Sequence, residues 1–281
     1  MYKYCFLIAV CLWSANVLCA QKEQAMITNK VCVLDSAFYI PQLNRYRRIW
    51  IYVPPSYCTT RQKYPVLYLN DGQNVFNTGT SYAGEWEVDK TIDSLSRTTG
   101  ECIVIAIDNG GDKRMSEYAP YDFQVAPNTM IRAEGAEYAA FIVSTLKPFV
   151  DKHYRTKKTA RHTFIGGSSM GALISFYAVL KYPEKFGGAA IFSPAFWAAP
   201  LLKDDIINMA GKVKAKLYFY AGKGEGPNMV PGMLSILELM NKHSKAKLTT
   251  VIREGKHNEA AWKKEFPLFY NWLFVGSGTG K

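Results

Sequence analysis

The chain has 281 residues, of which 48% are hydrophobic and 20% are charged, and this composition excludes a disordered tail. The length fits one large α/β domain better than two small domains. The 34 lysines and arginines exceed the 23 acidic residues by 11. They are scattered along the chain apart from one cluster before a predicted strand, formed by Arg155, Lys157, Lys158 and Arg161. The excess therefore indicates a solvated basic surface with some attraction for acidic polysaccharides or anionic envelope surfaces, and we expect no nucleic-acid partner.

Residues 1–20 have the layout of a signal peptide. A positively charged start is followed by an apolar run over residues 5–13, and Ser14, Asn16 and Ala20 then lead into a polar segment. The run is too short to span a bilayer comfortably, so we expect cleavage after Ala20, export to the periplasm or the medium, and no integral membrane span. Lipid attachment at Cys19 is the less favoured alternative, because a bulky leucine precedes it.

Short apolar strands alternate with amphipathic helices over residues 21–281. Near two-residue alternation over 31–38 and 47–53 predicts an opening antiparallel pair. Buried strands are predicted over 66–69, 102–107, 163–165, 189–192, 216–220 and 248–252, and helices over 86–95, 134–152, 170–181, 233–243 and 259–274. Buried strands separated by helices favour an α/β fold, with a mostly parallel sheet covered by helices on both faces. No linker divides the chain, so we expect a single domain.

The stretch 109–132 is irregular and contains paired glycines and two prolines. It follows a predicted strand, which places it on the rim where such folds bind ligands. Loops of this length in a compact domain are often functional. The stretch is therefore either a substrate-facing loop or a plain surface excursion.

Three cysteines follow the signal region: Cys32, Cys58 and Cys102. Their odd number and their spacing do not match a zinc site, so we expect no metal. One disulfide, for which Cys32 and Cys58 are candidates, remains open at this point.

The segment 167–171 reads Gly-Ser-Ser-Met-Gly and matches the pattern G-x-S-x-G between a predicted strand and a predicted helix. In this pattern the nucleophile lies on a strained turn that lifts its hydroxyl above the sheet, and the glycines let strand and helix pack closely. Ser169 at the centre is the predicted nucleophile, and Ser168 is the neighbouring alternative. The backbone amide of Met170 would lie at a helix N-terminus, where it can bind an oxyanion.

A serine hydroxyl needs an adjacent general base, which in this fold follows the serine along the chain. Two of the four histidines precede Ser169, and His243 lies at the end of a helical stretch, where a solvated cation is typical. His257 follows the last predicted strand and precedes a helix. We therefore predict His257 as the general base.

The acid of the triad should lie in the loop after the strand 216–220, and Glu225 is the carboxylate of that loop. Its role would be to orient His257 and to stabilise its charged form, with a solvated loop glutamate as the alternative. Asp204 and Asp205 are rivals, but they come earlier, where a helix begins.

The loop after the strand 66–69 reads Asn-Asp-Gly-Gln-Asn. We predict the backbone amide of Gln73 as the second oxyanion donor, with an ordinary Asp-Gly turn as the alternative. Trp86, Trp197 and Trp262 lie near these positions in the chain, and they are candidates for an acyl or sugar pocket or for plain core.

Together these segments resemble the "Putative esterase" family of α/β hydrolases, which includes esterase D, feruloyl esterases and enterochelin esterases. The matching segments are 68–74, 107–111, 167–171, 192–197 and 255–259, which span nearly all of residues 21–281. The resemblance implies ester hydrolysis through an acyl-enzyme without metal or organic cofactor, and it supports Gln73 and Met170 as oxyanion donors. It also supports Glu225 as the acid, although many relatives have aspartate there. Asn70 stands where many relatives carry histidine.

The leading functional hypothesis is an exported serine esterase that removes feruloyl or acetyl groups from carbohydrate, with a small-molecule or oligosaccharide ester as substrate. A periplasmic siderophore esterase is the closest rival, and acyl transfer to an alcohol is a further one. An inactive carbohydrate-binding relative is the non-enzymatic alternative. It is disfavoured because every expected catalytic position is occupied.

Overall fold

The computed structural model of the protein describes residues 30–82 and 84–274. The predicted signal peptide, its cleavage after Ala20 and the alternative of lipidation at Cys19 lie outside the described residues. None of the helices within the described ranges combines the length and the hydrophobicity that a membrane span requires. Cys58 and Cys102 carry free thiols, so the Cys32–Cys58 disulfide that the sequence left open is not formed.

An eight-stranded sheet runs through the centre of the described chain. Its strands follow the order β1-β2-β4-β3-β7-β8-β9-β10, while β5 and β6 form a separate hairpin. The strand bounds are β1 Val31–Ile40, β2 Arg45–Tyr52, β3 Val66–Asn70, β4 Ile103–Ile107, β5 Phe123–Ala126, β6 Thr129–Ile131, β7 Thr163–Ser168, β8 Gly188–Phe192, β9 Lys216–Gly222 and β10 Lys247–Arg253. Strand β2 pairs antiparallel with β1 and β4, and the remaining pairs of the sheet are parallel. The predicted mostly parallel α/β sheet is confirmed.

Helices cover both faces of this sheet. Their bounds are α1 Val88–Leu95, α2 Arg114–Tyr118, α3 Gly135–Phe141, α4 Lys147–His153, α5 Met170–Lys181, α6 Leu202–Met209, α7 Met229–His243 and α8 Glu259–Phe274. The helix predicted over 134–152 is divided by a π-helical turn, Ile142–Leu146, directly before Pro148 in the first turn of α4. Proline lacks the amide that a continuous helix would use there, which accounts for the break. Helix α7 begins four residues earlier than predicted, because Pro231 is tolerated in a first turn.

Two apolar layers hold the helices to the sheet. Helices α1 and α8 pack on one face, and the layer on the other face includes side chains of α3 to α7. Residues 170–180 of α5 are all buried, because this helix is apolar around its whole circumference and follows the central strand β7. Its N-terminus is consequently fixed at the carboxyl edge of the sheet.

The carboxyl ends of the parallel strands meet at one edge of the sheet. Strands β7, β8, β9 and β10 are neighbours in that order, and β3 lies beside β7. Adjacent strands lie about 4.8 Å apart. The loops that follow these five strands, which carry the predicted site residues, therefore converge on a single rim.

Candidate active site

Ser169 lies on a sharp turn between β7 and α5. Its backbone has φ 55° and ψ −121°, outside the regions that L-residues prefer. The turn is held by the Ser169 amide, which donates to the carbonyl of Phe192 at 2.9 Å. A Cβ on Gly167 would lie 2.8 Å from the Gly171 backbone, so only glycine allows the strand and the helix this approach. Ser168 is buried in β7, whereas Ser169 is only half-buried, which favours Ser169 as the nucleophile.

His257 and Glu225 are hydrogen-bonded to each other at the same rim. The distance between His257 Nδ1 and Glu225 Oε2 is 2.7 Å. The Glu225 side chain is fully buried, while the His257 side chain is 38% exposed and can reach a ligand. Within the described residues no hydrogen bond joins the Ser169 hydroxyl to His257. Such bonds often tighten only as substrate binds.

The rival acids lie elsewhere. Asp204 and Asp205 are in the first turn of α6, and the Asp205 carboxylate accepts a hydrogen bond from the hydroxyl of Tyr121. Glu225 is the carboxylate that contacts His257. Across the described residues, no group of three or more His, Cys, Asp or Glu side chains is arranged to hold a metal ion.

Ser193 holds the Glu225 carboxylate through the oxygen that does not contact His257. The sequence analysis did not identify this residue. Its hydroxyl donates to Glu225 Oε1 at 2.7 Å and accepts from the indole Nε1 of Trp262 at 2.8 Å. The amide of Gly222 donates to the same Oε1 at 2.6 Å. Ser193 is completely buried and has φ 48°, a left-handed conformation that costs a serine about 1–2 kcal/mol. The signal in the sequence is its position directly after β8.

Trp86 and Trp262 are buried among core side chains, which favours the second of the two alternatives, pocket or core, that the sequence left open. Each is 4% exposed. Trp86 stacks on Phe192, with ring centroids 5.6 Å apart. The Trp262 ring packs edge-on against His257 at 5.1 Å and so braces the imidazole. Both tryptophans therefore support the site from within the core.

The turn after β3 lies beside the Ser169 turn. Asp71 takes a left-handed conformation with φ 56°, and Gly72 to Asn74 form a short 3-10 helix. A Cβ on Gly72 would lie 2.8 Å from the backbone of residues 106–108, so this turn presses against the end of β4. A Cβ on Gly171 would lie 2.9 Å from Asp71 Oδ2, which shows how closely the turn approaches the start of α5. Gln73 is buried in this turn.

Asn70 fastens the same turn to α5. Its amide donates to the Ser175 hydroxyl at 2.9 Å and to the carbonyl of Gly171 at 3.2 Å. Its oxygen accepts from the Tyr138 hydroxyl at 2.7 Å. All of these groups are buried, so Asn70 fills a structural position beneath the predicted oxyanion donors.

A carboxylate clamp connects the irregular stretch 109–132 to the turn after β3. Asp71 accepts two hydrogen bonds from Arg114, at 2.7 and 2.9 Å, and one from the Asn109 side chain at 2.7 Å. Nearby, burial raises the pKa of Glu259 above its ordinary value, and the negative charge of Asp71 adds to the shift. The stretch thus orders the predicted oxyanion turn. Sequence reasoning did not identify Asp71 or Arg114.

A groove of about 830 Å³ opens next to Glu225. One wall is the segment that follows Ser193 and includes Phe196 and Trp197, and the other is the start of α7 with Met229 and Met233. Trp197 is 65% exposed, and its indole packs edge-on against Phe123 of β5 at 5.8 Å. Of the three predicted pocket tryptophans, Trp197 is the one that lines this groove.

Three comparisons relate the chain to known proteins. A family model described as "Putative esterase" matches residues 40–269. The uncharacterized protein YbbA of Bacillus subtilis is 25% identical over 81% of this chain and 92% of its own length. An endo-1,4-beta-xylanase/feruloyl esterase of Xylanibacter ruminicola is 23% identical over 90% of this chain, which spans only 34% of that protein. The enterobactin esterase of Shigella flexneri superposes with a TM-score of 0.67 at 19% identity, over 89% of this chain and 60% of the esterase.

Proposed function

The chain belongs to the "Putative esterase" family, whose model matches residues 40–269, and from this premise we propose that it is an exported serine carboxylic ester hydrolase that removes feruloyl or acetyl groups from carbohydrate. The observation that carries the mechanism is the Glu225–His257 hydrogen bond, at the rim where Ser169 occupies a strained turn. Export rests on the pattern of residues 1–20.

In the first half-reaction, the Ser169 hydroxyl oxygen attacks the ester carbonyl carbon, and its proton passes to His257 Nε2. Nδ1 of His257 donates to Glu225, whose buried charge stabilises the imidazolium that forms. The carbonyl oxygen becomes an oxyanion, which accepts hydrogen bonds from the amides of Met170 and Gln73. When the tetrahedral intermediate collapses, the C–O bond to the alcohol breaks and His257 gives its proton to the leaving oxygen.

In the second half-reaction, water replaces the alcohol. His257 removes a proton from the water, and the resulting hydroxide oxygen attacks the acyl-enzyme carbonyl carbon. The second tetrahedral intermediate uses the same two oxyanion donors. Its collapse breaks the bond to Ser169 Oγ, which recovers the proton from His257, and the carboxylic acid leaves.

The groove beside Glu225 supports an aromatic acyl group. A planar phenyl ring with small polar substituents fits an apolar wall of Phe196, Trp197 and Met233 better than an acetyl group does, because stacking on an exposed indole stabilises flat rings. The xylanase/feruloyl esterase relative points the same way. We therefore rank feruloyl above acetyl esters.

Siderophore ester hydrolysis is the second candidate. It is favoured by the formal net charge of +11, which attracts anionic catecholate ligands, and by the fold shared with the enterobactin esterase. The groove beside Glu225 serves this reaction as well, because catechols are also planar aromatic rings.

The test is hydrolysis of four esters by the purified protein and by Ser169→Ala. The panel holds methyl ferulate, acetylated xylan fragments, a short p-nitrophenyl ester and a cyclic catecholate triester. Trp197→Ala is added to test whether the groove binds the acyl group. Phe123→Leu, which keeps a hydrophobic side chain beside Trp197, serves as its control. We expect serine-dependent release of ferulate, with kcat/KM about tenfold lower in Trp197→Ala, since a lost aromatic contact of about 1.4 kcal/mol is a factor of ten.

Other outcomes separate the candidates. If the protein cleaves only the catecholate triester, its substrate is a siderophore and not a carbohydrate ester. Equal loss of acetyl and feruloyl hydrolysis in Trp197→Ala would remove the groove from acyl recognition. Full activity of Ser169→Ala would refute the serine mechanism itself.

A further inference from the structure

The amino edge of the sheet, opposite the candidate active site, gathers cations from separate parts of the chain. Arg161 precedes β7, Lys214 and Lys216 lie before and at the start of β9, and Lys247 begins β10. Because β7 to β10 are parallel neighbours, the starts of these strands share one edge. In the sequence these residues are spread over more than eighty positions, and the fold brings them together.

These four side chains line a groove of about 460 Å³, called the basic groove below. Its floor is apolar and contains Phe164, Phe186 and Leu273. No carboxylate is among the residues that line it in the described part of the chain. Within the same part, none of the four cations forms an ion pair with an acidic side chain.

The cations of the basic groove are close enough to repel one another. Lys216 and Lys247 are direct register partners on neighbouring strands. Burial lowers the pKa of Lys216, and the positive charges of Lys247 and Arg161 lower it further. The Lys216 ammonium is held in place by donating to the carbonyl of Leu273 at 3.0 Å. When like charges without counter-charges surround a concave surface, a bound anion lowers the repulsion between them.

We propose that the basic groove binds an acidic polysaccharide, a chain that carries uronate carboxylates, and thereby anchors the protein to an anionic polymer. A recessed site suits an extended chain better than a flat bilayer, because Lys216 lies half-buried inside the groove. A single-stranded nucleic acid would need exposed aromatic faces for its bases, but Phe164 is 5% exposed and Phe186 is 1% exposed.

The basic groove is separate from the site of ester cleavage. Strand β7 runs over six residues from Thr163 to Ser168, and at about 3.3 Å per residue the groove at its start lies roughly 20 Å from Ser169. A polymer bound there holds the protein on its surface while the opposite rim stays open. The inference stands on the groove and does not require the proposed esterase activity.

The experiment measures binding of the full protein to polygalacturonate and to neutral arabinoxylan. The test variant is Lys214→Gln/Lys247→Gln. Its matched control is Lys242→Gln/Lys264→Gln, which removes two positive charges from exposed lysines elsewhere that, like the groove lysines, form no ion pair among the described residues. Arg161→Gln provides a second, single probe in case the double variant does not fold, and circular dichroism checks the fold of each protein.

We expect polygalacturonate to bind at about 0.01 M salt and to dissociate at about 1 M salt, where the screening length falls to roughly 3 Å. The groove variant should bind about tenfold more weakly and the control less than twofold, because only the groove lysines converge on the chain. Hydrolysis of a soluble p-nitrophenyl ester should be equal in both. Equal loss in the two double variants, or tighter binding to anionic lipid vesicles or single-stranded DNA than to polygalacturonate, would overturn the proposal.

Discussion

Ser193→Ala tests whether the network beneath His257 positions the base. The substitution deletes a hydroxyl that donates to Glu225 Oε1 at 2.7 Å and accepts from Trp262 Nε1 at 2.8 Å. Glu225 keeps the hydrogen bond from the Gly222 amide. The Trp262 indole N–H, on a side chain that is 4% exposed, loses its partner.

The magnitude follows from these contacts. A buried indole N–H without an acceptor costs about 1–3 kcal/mol, and a hydrogen bond to a charged carboxylate contributes about 1.5–3 kcal/mol. The two terms share one hydroxyl and one carboxylate, so they do not add fully. We expect the free energy of unfolding to fall by about 2–4 kcal/mol. We also expect kcat to fall about tenfold with little change in KM, because the Ser193 hydroxyl lies inside the network and not on the groove wall.

The backbone at position 193 provides a matched variant. Ser193→Gly deletes the same hydroxyl but relieves the left-handed φ of 48°. The free energy of unfolding of Ser193→Gly should therefore be about 1 kcal/mol higher than that of Ser193→Ala, while kcat falls to the same extent in both. Urea denaturation followed by circular dichroism gives the stabilities, and steady-state hydrolysis of a p-nitrophenyl ester gives kcat and KM. If Ser193→Ala keeps both the wild-type stability and the wild-type kcat, the network has no positioning role.

Three further predictions follow from the site and its surroundings. Ser169→Ala should keep the wild-type melting temperature and lose at least about a thousandfold in kcat, and turnover near the wild-type rate would remove it as the nucleophile. Gly72→Ala forces a Cβ to within 2.8 Å of the β4 backbone; displacing the oxyanion turn should lower kcat about a hundredfold, and an unchanged kcat would reject that role for the turn. Burial raises the pKa of Glu265, so the folded state binds the proton of this carboxyl group more tightly than the unfolded chain does. The stability that this tighter binding contributes is present below the ordinary carboxyl pKa and is lost as the pH rises through the pKa of the folded state. Thermal melts should therefore show Glu265→Gln gaining stability relative to wild type between about pH 4 and pH 7, and a constant difference would contradict the raised pKa.

The linear pattern predicted the fold class, which the structure confirms, and it placed the predicted triad of Ser169, Glu225 and His257 after buried strands. Each of these residues lies in the turn or loop that follows a predicted buried strand. In a parallel sheet the residues after the strands meet at one rim whatever the details of packing. Side chains from separate loops could therefore be expected to meet without coordinates, and the structure joins His257 to Glu225 at 2.7 Å.

Only the tertiary structure decided which side chains surround these three positions. Three features join residues from distant segments of the chain: the Ser193–Trp262 hydrogen bond, the Asp71–Arg114 clamp and the basic groove. Such contacts cannot be predicted from local periodicity. Trp86 shows the reverse case. An aromatic residue near a site in sequence is equally suited to a pocket or to the core, and its stacking on Phe192 settles that choice through packing. The local sequence determines where strands and helices form, whereas the contacts of a side chain depend on how the helices pack against the sheet.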